Sequence, residues 1–547
     1  MQFGKPVVKP DHDVLIIGGG LAGLTLALQL RGKFPTLGIR VLERKQHPVP
    51  EAAHKVGESS VEIGAHYFDT VIGLAQHLKE RHLRKFGFRF FWNEYRDDIE
   101  NTTELGASSF LPCPSYQLDR GILENHLGER CVAEGIVFDD GVAVRDVEIG
   151  KDGAEHVVHY DKGGRRERAT ARWLIDAASR ASPIKRKLGL AETNAHDANA
   201  IWFRIGTKID VNEWVDDPEW IAQCNPPNRW LSTNHLCGPG YWAWLIPLGS
   251  GSHSVGIVCD AKMHPLETMN TFEKAMGWFA KYQPQLHKEL LTKAHLLQDF
   301  CFLRHFSHGC KQVFSGDRWA LTGEAGVFLD PFYSPGSDFI GMSNTYITAL
   351  IEKDLAGEEF APYAGIYEKL YMSFYESTLA LYTDQYPLFG DPEVMPVKVL
   401  WDYTYYWGIL CQFWFQGKLT DMQAMGRLRS ELSESKELNF AMQRFLRAWS
   451  KVSAKQESDI MLDQASLPWF VELNRGLRDT LDDAAFRARV REYAQLLKAM
   501  AREIVDKAHA EAPSLDASEV LAIVGDTKRH PHSLLFDYLK HPATAAA

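Results

Sequence analysis

Asp13-Val-Leu-Ile-Ile-Gly18-Gly-Gly20-Leu-Ala-Gly23-Leu-Thr-Leu-Ala-Leu-Gln-Leu30 decides the fold. Its apolar opening has the character of a buried strand, and the run from Leu24 reads as an apolar helix. Ile39-Arg-Val-Leu-Glu43 follows as a second strand, which completes a βαβ unit. The glycines permit a tight turn and let a pyrophosphate approach the backbone at the helix N-terminus. Gly18, Gly20 and Gly23 are therefore assigned to a dinucleotide, with Glu43 accepting ribose hydroxyls and Arg44 beside it. A bare Gly-rich turn would not need the strand, the helix and the acidic strand end together. Gly249-Ser-Gly251 lacks a third glycine and reads as a hairpin turn, so one dinucleotide is expected. The glycines alone leave FAD and NAD both open.

Outward from this unit, composition removes several functions. The chain has 547 residues, 45% of them hydrophobic and 24% charged, which suits a globular protein of several units. Its net charge of -11 gives no basic surplus for nucleic acid or anionic membrane. Eight cysteines without Cys-x-x-Cys pairs or Cys/His ligand spacing argue against disulfide, zinc and iron–sulfur sites, so no metal is expected. The first residues lack an apolar signal core, and Val399 to Phe415 is short for a membrane span and carries Asp402. A cytoplasmic protein without a membrane span is expected. The tail Ala543 to Ala547 is expected to fray.

Farther along, residues 55–85 read as helical, and a second helix is expected from Tyr116 to about 135. Alternation over 141–175, with turns at Lys151-Asp-Gly153 and Lys162-Gly-Gly164, predicts a strand meander. The stretch 198–305 is mostly strand with a helical interruption near 267–296, and Trp319-Ala-Leu returns to the buried-strand style of the start. The fold class is thus an α/β Rossmann-type βαβ domain, an antiparallel β-sheet substrate domain and a mainly helical C-terminal region. The expected boundaries are 1–197 with 306–345 for the nucleotide domain, including a substrate-side insertion near 86–110. The sheet domain takes 198–305, and the helical region, covering the substrate side, takes 346–547.

Later motifs sharpen this reading. They are Val56-Gly57-Glu58, Tyr116-Gln-Leu-Asp-Arg120 and Asp176-Ala-Ala-Ser-Arg180, then Trp242-x-Trp244-x-Ile246. Phe328-x-x-Pro331-x-x-Ser334-x-Gly336 closes the series, preceded by Gly323-Glu324. In this order the chain resembles the flavin-dependent halogenases, within the group-A FAD monooxygenase fold, over about residues 10–345. The Trp-x-Trp-x-Ile and Phe-x-x-Pro-x-x-Ser-x-Gly stretches are specific to that family. The resemblance implies FAD as cofactor, with Gly57 and Glu58 near the isoalloxazine and Arg120 near the ribityl-pyrophosphate part. It places Gly323, Glu324, Pro331 and Gly336 beside the cofactor and Ser334 in the catalytic turn.

It also implies a function: halogenation of an electron-rich aromatic or unsaturated substrate through a C4a-hydroperoxyflavin and hypohalous acid. Lys85, ahead of the aromatic strand Phe-Gly87-Phe-Arg-Phe-Phe-Trp92, matches the lysine thought to direct that acid. A compact ammonium suits the role. The other reading is a solvated lysine among Lys79, Arg81, Arg84 and Arg89. Trp242 and Trp244 share one strand face. On spacing alone they are core aromatics; with the second motif they read as a wall between flavin and substrate. Reduced FAD would come from a separate flavin reductase. The substrate would be a small aromatic or polyene molecule, free or carrier-bound, with no nucleic acid partner.

Several departures from the family pattern stand out. Pro335 removes a backbone N–H from the turn that holds halide in the resembled enzymes. Such a bond is worth about 1.5–3 kcal/mol, or about ten- to a hundredfold in affinity. This supports an alternative, a halogenase-like FAD monooxygenase or dehydrogenase that no longer uses halide. Asp338 would repel an anion, unless it faces solvent or caps the next helix. Glu324 and Ser179 stand where the family more often has aspartate and glycine. Tyr333 occupies the place of the glutamate of tryptophan-type halogenases, which argues against free tryptophan. The aromatic run Tyr367 to Phe415 reads mostly as helix packing, with some residues candidates to line a pocket.

Overall fold

The computed structural model describes residues 10–51, 56–458 and 461–536; the Ala543–Ala547 tail lies outside them. The βαβ start forms as read. Strand His12–Ile17 leads through Gly18–Gly20 into helix Leu21–Lys33, and Ile39–Leu42 pairs with the first strand in parallel. Val14, Leu15 and Ile16 are fully buried, as expected for a strand covered on both faces. The sheet runs Val137–Asp139, Ile39–Leu42, His12–Ile17, Arg165–Asp176, His156–Lys162, Ala143–Glu148. The meander Ala143–Asp176 supplies its antiparallel edge. Trp319–Leu321 joins Arg165–Asp176 in parallel, so a segment far along the chain completes the nucleotide sheet.

A second sheet has eight strands among the described residues. Five come from 198–305: Leu297–Leu303, Ala198–Ile205, His253–Asp260, Tyr241–Pro247 and Thr233–Gly238. The sheet extends past those bounds, because Phe88–Phe91, Glu104–Gly106 and Met461–Asp463 add to its edge. Residues 86–110 thus contribute two strands, joined by loop and a short helical turn, and the helical C-terminal region contributes one strand. Ile201, Phe203, Tyr241, Ala243 and Leu245 face a satellite core under helices Phe272–Tyr282 and Pro284–Lys293. Trp202, Trp242 and Trp244 face the main core. Alternation on one strand thus sends its indoles toward the nucleotide domain.

Two local expectations shift. The helix expected from Tyr116 begins at Arg120, because Tyr116–Gln117 pairs with Leu83–Arg84. Asp338 does not face solvent. It is buried in the first turn of helix Gly336–Leu355, accepting from the Gly64 N–H at 2.8 Å and from the Tyr406 hydroxyl at 2.6 Å. Val399–Phe415 falls within consecutive buried helical turns. No helix among the described residues is long and apolar enough to cross a membrane.

Candidate active site

A cavity of about 700 Å³ opens where the two sheets meet. Gly18, Gly20, Glu43, Arg44, Gly57, Glu58, Arg120, Gly323, Glu324, Pro331, Ser334 and Gly336 all line it. The size falls within the range of small-molecule and cofactor sites. A Cβ on Gly20 would project into open space, while one on Gly23 would lie 2.0 Å from the Gly18 carbonyl oxygen. Gly23 thus lets the helix press on the turn, and Gly20 leaves room for a bound group. Glu43 orients the loop: its Oε2 accepts from the Gly19 N–H at 2.6 Å and its Oε1 from the Lys45 N–H at 2.8 Å. Arg120 donates to the Val56 carbonyl and to Glu124, and its Nε is buried without a partner among the described residues. That orphaned donor, the open cradle and the helix N-terminus fit a dinucleotide that carries phosphates.

Two substitutions against the family pattern meet each other. Ser179 donates to Glu324 Oε2 at 2.5 Å. Ser179 sits at φ 50, the left-handed region that glycine enters without strain. The extra hydroxyl and the longer acid form one bond across the cavity rim. Glu58 is held by Arg204, whose Nε donates to Oε1 at 2.9 Å, and Arg204 also pairs with Asp299. Burial raises the Glu58 pKa, with Arg204 opposing it. Arg204 carried no signal in the sequence, because its partners lie on remote segments.

Trp242 and Trp244 both line this cavity and are only 2% exposed, with ring centroids 5.6 Å apart. Trp244 lies over Gly256, where any Cβ would strike the indole, and donates to Ser254 Oγ at 3.1 Å. Trp242 donates to the Tyr386 hydroxyl at 3.0 Å, and Tyr386 donates to Asp330 Oδ2 at 2.6 Å. His196 holds the same Asp330 oxygen at 2.7 Å. A residue of the C-terminal region thereby fixes an indole of the sheet, a link invisible to spacing.

A second cavity, about 50 Å³, lies beyond the Ser334–Gly336 turn. Tyr333, Asp338, Tyr382, Tyr403 and Tyr406 are among its walls. Pro335 and Phe339 line both cavities, so these two residues, rather than the indoles, form the shared partition. The indoles stand one layer back. Trp242 packs on His235 at 5.0 Å, and His235 on Phe88 at 5.3 Å. Tyr333 does not act as a free hydroxyl; it donates to Asp402 at 2.7 Å, which also binds Lys398.

Lys85 ends that aromatic stack. Its Nζ lies 3.4 Å from the Phe88 ring centroid and donates to Ser59 Oγ at 2.9 Å and the Ser60 carbonyl at 3.1 Å. It is buried, so the solvated-lysine reading does not hold. Burial pushes its pKa down to about 7, against the opposing charges of Glu62 and Asp338. Lys85 lines a third cavity of about 10 Å³ with Glu62, Phe88 and Tyr403, apart from the nucleotide cavity. Phe88 and Tyr403 also wall the second cavity. The main-chain donors of the Ser334–Gly336 turn are equally defined. The Ser334 N–H is spent on the Pro331 carbonyl at 2.9 Å, and Pro335 has none. Gly336 and Ser337, at the start of a helix of 20 residues, line the nucleotide cavity.

Several known proteins are similar to this chain. The FAD binding domain family matches residues 11–275. The flavin-dependent halogenase chlA of Dictyostelium discoideum is 28% identical over 433 residues, 73% of this chain and 70% of that one. The 1H-pyrrole-2-carbonyl-(peptidyl-carrier protein) chlorinase of Pseudomonas fluorescens is 25% identical over 391 residues, 67% of this chain and 82% of that one. In fold, the chain is similar to halogenase PltM in complex with phloroglucinol and FAD, with a TM-score of 0.62 and 18% identity. That match covers 91% of this chain and 96% of the other. Fold and site together define an FAD-dependent oxidoreductase. In sequence and in fold the chain is similar to flavin-dependent halogenases.

Proposed function

We propose that the chain halogenates an electron-rich aromatic or unsaturated small molecule, free or carrier-bound, using FAD reduced by a separate flavin reductase. The observation that carries this reading is the indole pair Trp242 and Trp244 on the wall of the cavity that also holds the Ser334–Gly336 turn. Bound FAD, once reduced and exposed to dioxygen, supplies the oxidising equivalents that convert halide to hypohalous acid. Gly336 and Ser337 offer N–H donors at a helix N-terminus, where an anion is favoured. Pro335, Phe339 and the indole layer keep water and the organic substrate out of the nucleotide cavity. Lys85 presents an N–H donor at the far end of the stack, where hypohalous acid would be held beside the substrate. Moving the Phe88 ring frees the Lys85 face that it now covers.

The related chlorinase acts, by its name, on a pyrrole carried by a peptidyl-carrier protein, and PltM binds phloroglucinol. Pyrrolic and phenolic rings are accordingly the first substrates to test. Product analysis by mass spectrometry with reduced FAD, dioxygen and bromide tests the reading across phenol, pyrrole, indole and polyene candidates. A brominated product supports it. A product with one added oxygen, or with hydrogen removed, supports the halide-free alternative instead.

That alternative has one specific observation in its favour: of the turn's donors, Ser334 is already bonded and Pro335 has none. Restoring the missing donor gives a clear prediction. Pro335→Ser should tighten halide binding by about ten- to a hundredfold. The halide dependence of product formation and a bromide titration of flavin fluorescence both read this. Unchanged halide affinity would remove the Pro335 N–H deficit from the account.

A further inference from the structure

We propose that Glu62 is a specificity-determining residue that admits rings bearing an O–H or N–H donor and discriminates against hydrocarbons such as polyenes. The proposal rests on the halogenase reading and narrows its substrate class.

Glu62 opens the helix Glu62–His66, three residues after Ser59, which holds Lys85. It is 5% exposed and faces the small cavity shared with Lys85. Its Oε2 is buried and accepts no hydrogen bond among the described residues. A carboxylate oxygen buried without a donor is costly, so the site is incomplete without a ligand that supplies one. Burial raises the Glu62 pKa; the Trp407 indole N–H, which lies near the carboxyl without completing a hydrogen bond, its own main-chain N–H and the Lys85 charge oppose that rise.

Lys85 does not complete the site. Its donors go to Ser59, Ser60 and the Phe88 ring face. The remaining walls include the apolar Val61 and Leu111, with Cys113 and the hydroxyl-bearing Ser115 and Tyr403 beside them. The free volume of about 10 Å³ suits one water-sized group, such as a single hydroxyl or ring N–H. Val61, Phe88 and Tyr403 also border the adjoining 50 Å³ cavity. A ring placed there, with these side chains displaced, would direct its donor into the space beside Glu62. An unsubstituted hydrocarbon would leave Oε2 buried and unpaired, which is the stronger half of the discrimination.

The test is calorimetric binding of resorcinol and of its dimethyl ether to the FAD-loaded protein, with Glu62→Leu and Glu62→Gln beside it. Wild type should bind resorcinol at least about tenfold tighter than the ether. Glu62→Leu should lose about ten- to a hundredfold in resorcinol affinity and keep its affinity for the ether. Glu62→Gln, which keeps an acceptor without the charge, should lose less. If the Leu variant fails to retain FAD, the Gln variant carries the test in the same direction. Equal binding of resorcinol and ether by wild type would overturn the proposal. So would unchanged resorcinol affinity in the folded variants. Halogenated product is scored separately, so a failure of the halogenase reading would show there while binding selectivity remained.

Discussion

Lys85→Ala abolishes halogenated product while FAD remains bound and its reduced form is still oxidised by dioxygen. The expected loss is about 10²–10³-fold, the scale for removing one positioned donor from a dry site. The separation follows from placement. Lys85 lies outside the nucleotide cavity, at the far end of the layer Trp242, His235 and Phe88. Lys85→Met is the control for folding, since an apolar chain replaces a desolvated ammonium and should not lower the melting temperature. Product formation by wild type should fall as pH rises through about 7, because the ammonium is lost there. Full halogenation by Lys85→Ala would take this residue out of its assigned role.

Gly23→Ala should yield colourless protein with a stability loss of about 3 kcal/mol, the upper range for overpacking a fitted site. The new Cβ would sit 2.0 Å from the Gly18 carbonyl oxygen, a backbone atom that cannot turn aside. Helix Leu21–Lys33 would have to lift from the strand that aims it at the pyrophosphate. Gly20→Ala is the informative contrast. No atom lies within 4 Å of its added Cβ, so the fold should persist while the cofactor loses room. Flavin absorbance and a thermal melt separate the two outcomes. Yellow Gly23→Ala protein of normal stability would refute the close approach.

Local pattern carried the parts of the molecule that are themselves local. The strand, glycine turn and helix at 12–33 lie within a few residues of each other, and the meander from Ala143 to Asp176 shows its period in its own side chains. The alternation of Trp242 and Trp244 was legible for the same reason. Partners set by the tertiary fold were not legible. Tyr386 holds Trp242 from 144 residues away, and Ser179 meets Glu324 across 145. Tyr116–Gln117 reads as the start of a helix until Leu83–Arg84 pairs with it. Glu62 looked like any acid in a helical stretch; only its burial beside Lys85 marks it. The role of Asp338 likewise depended on Gly64 and Tyr406, which approach from other elements.

Diffraction from crystals of the FAD complex soaked in bromide, collected at the bromine edge, tests the account most directly. It predicts an isoalloxazine against Trp242 and Trp244, with a bromide peak at hydrogen-bond distance from the Gly336 and Ser337 N–H groups. A flavin ring remote from both indoles, or bromide absent from the turn at saturating concentration, would contradict it.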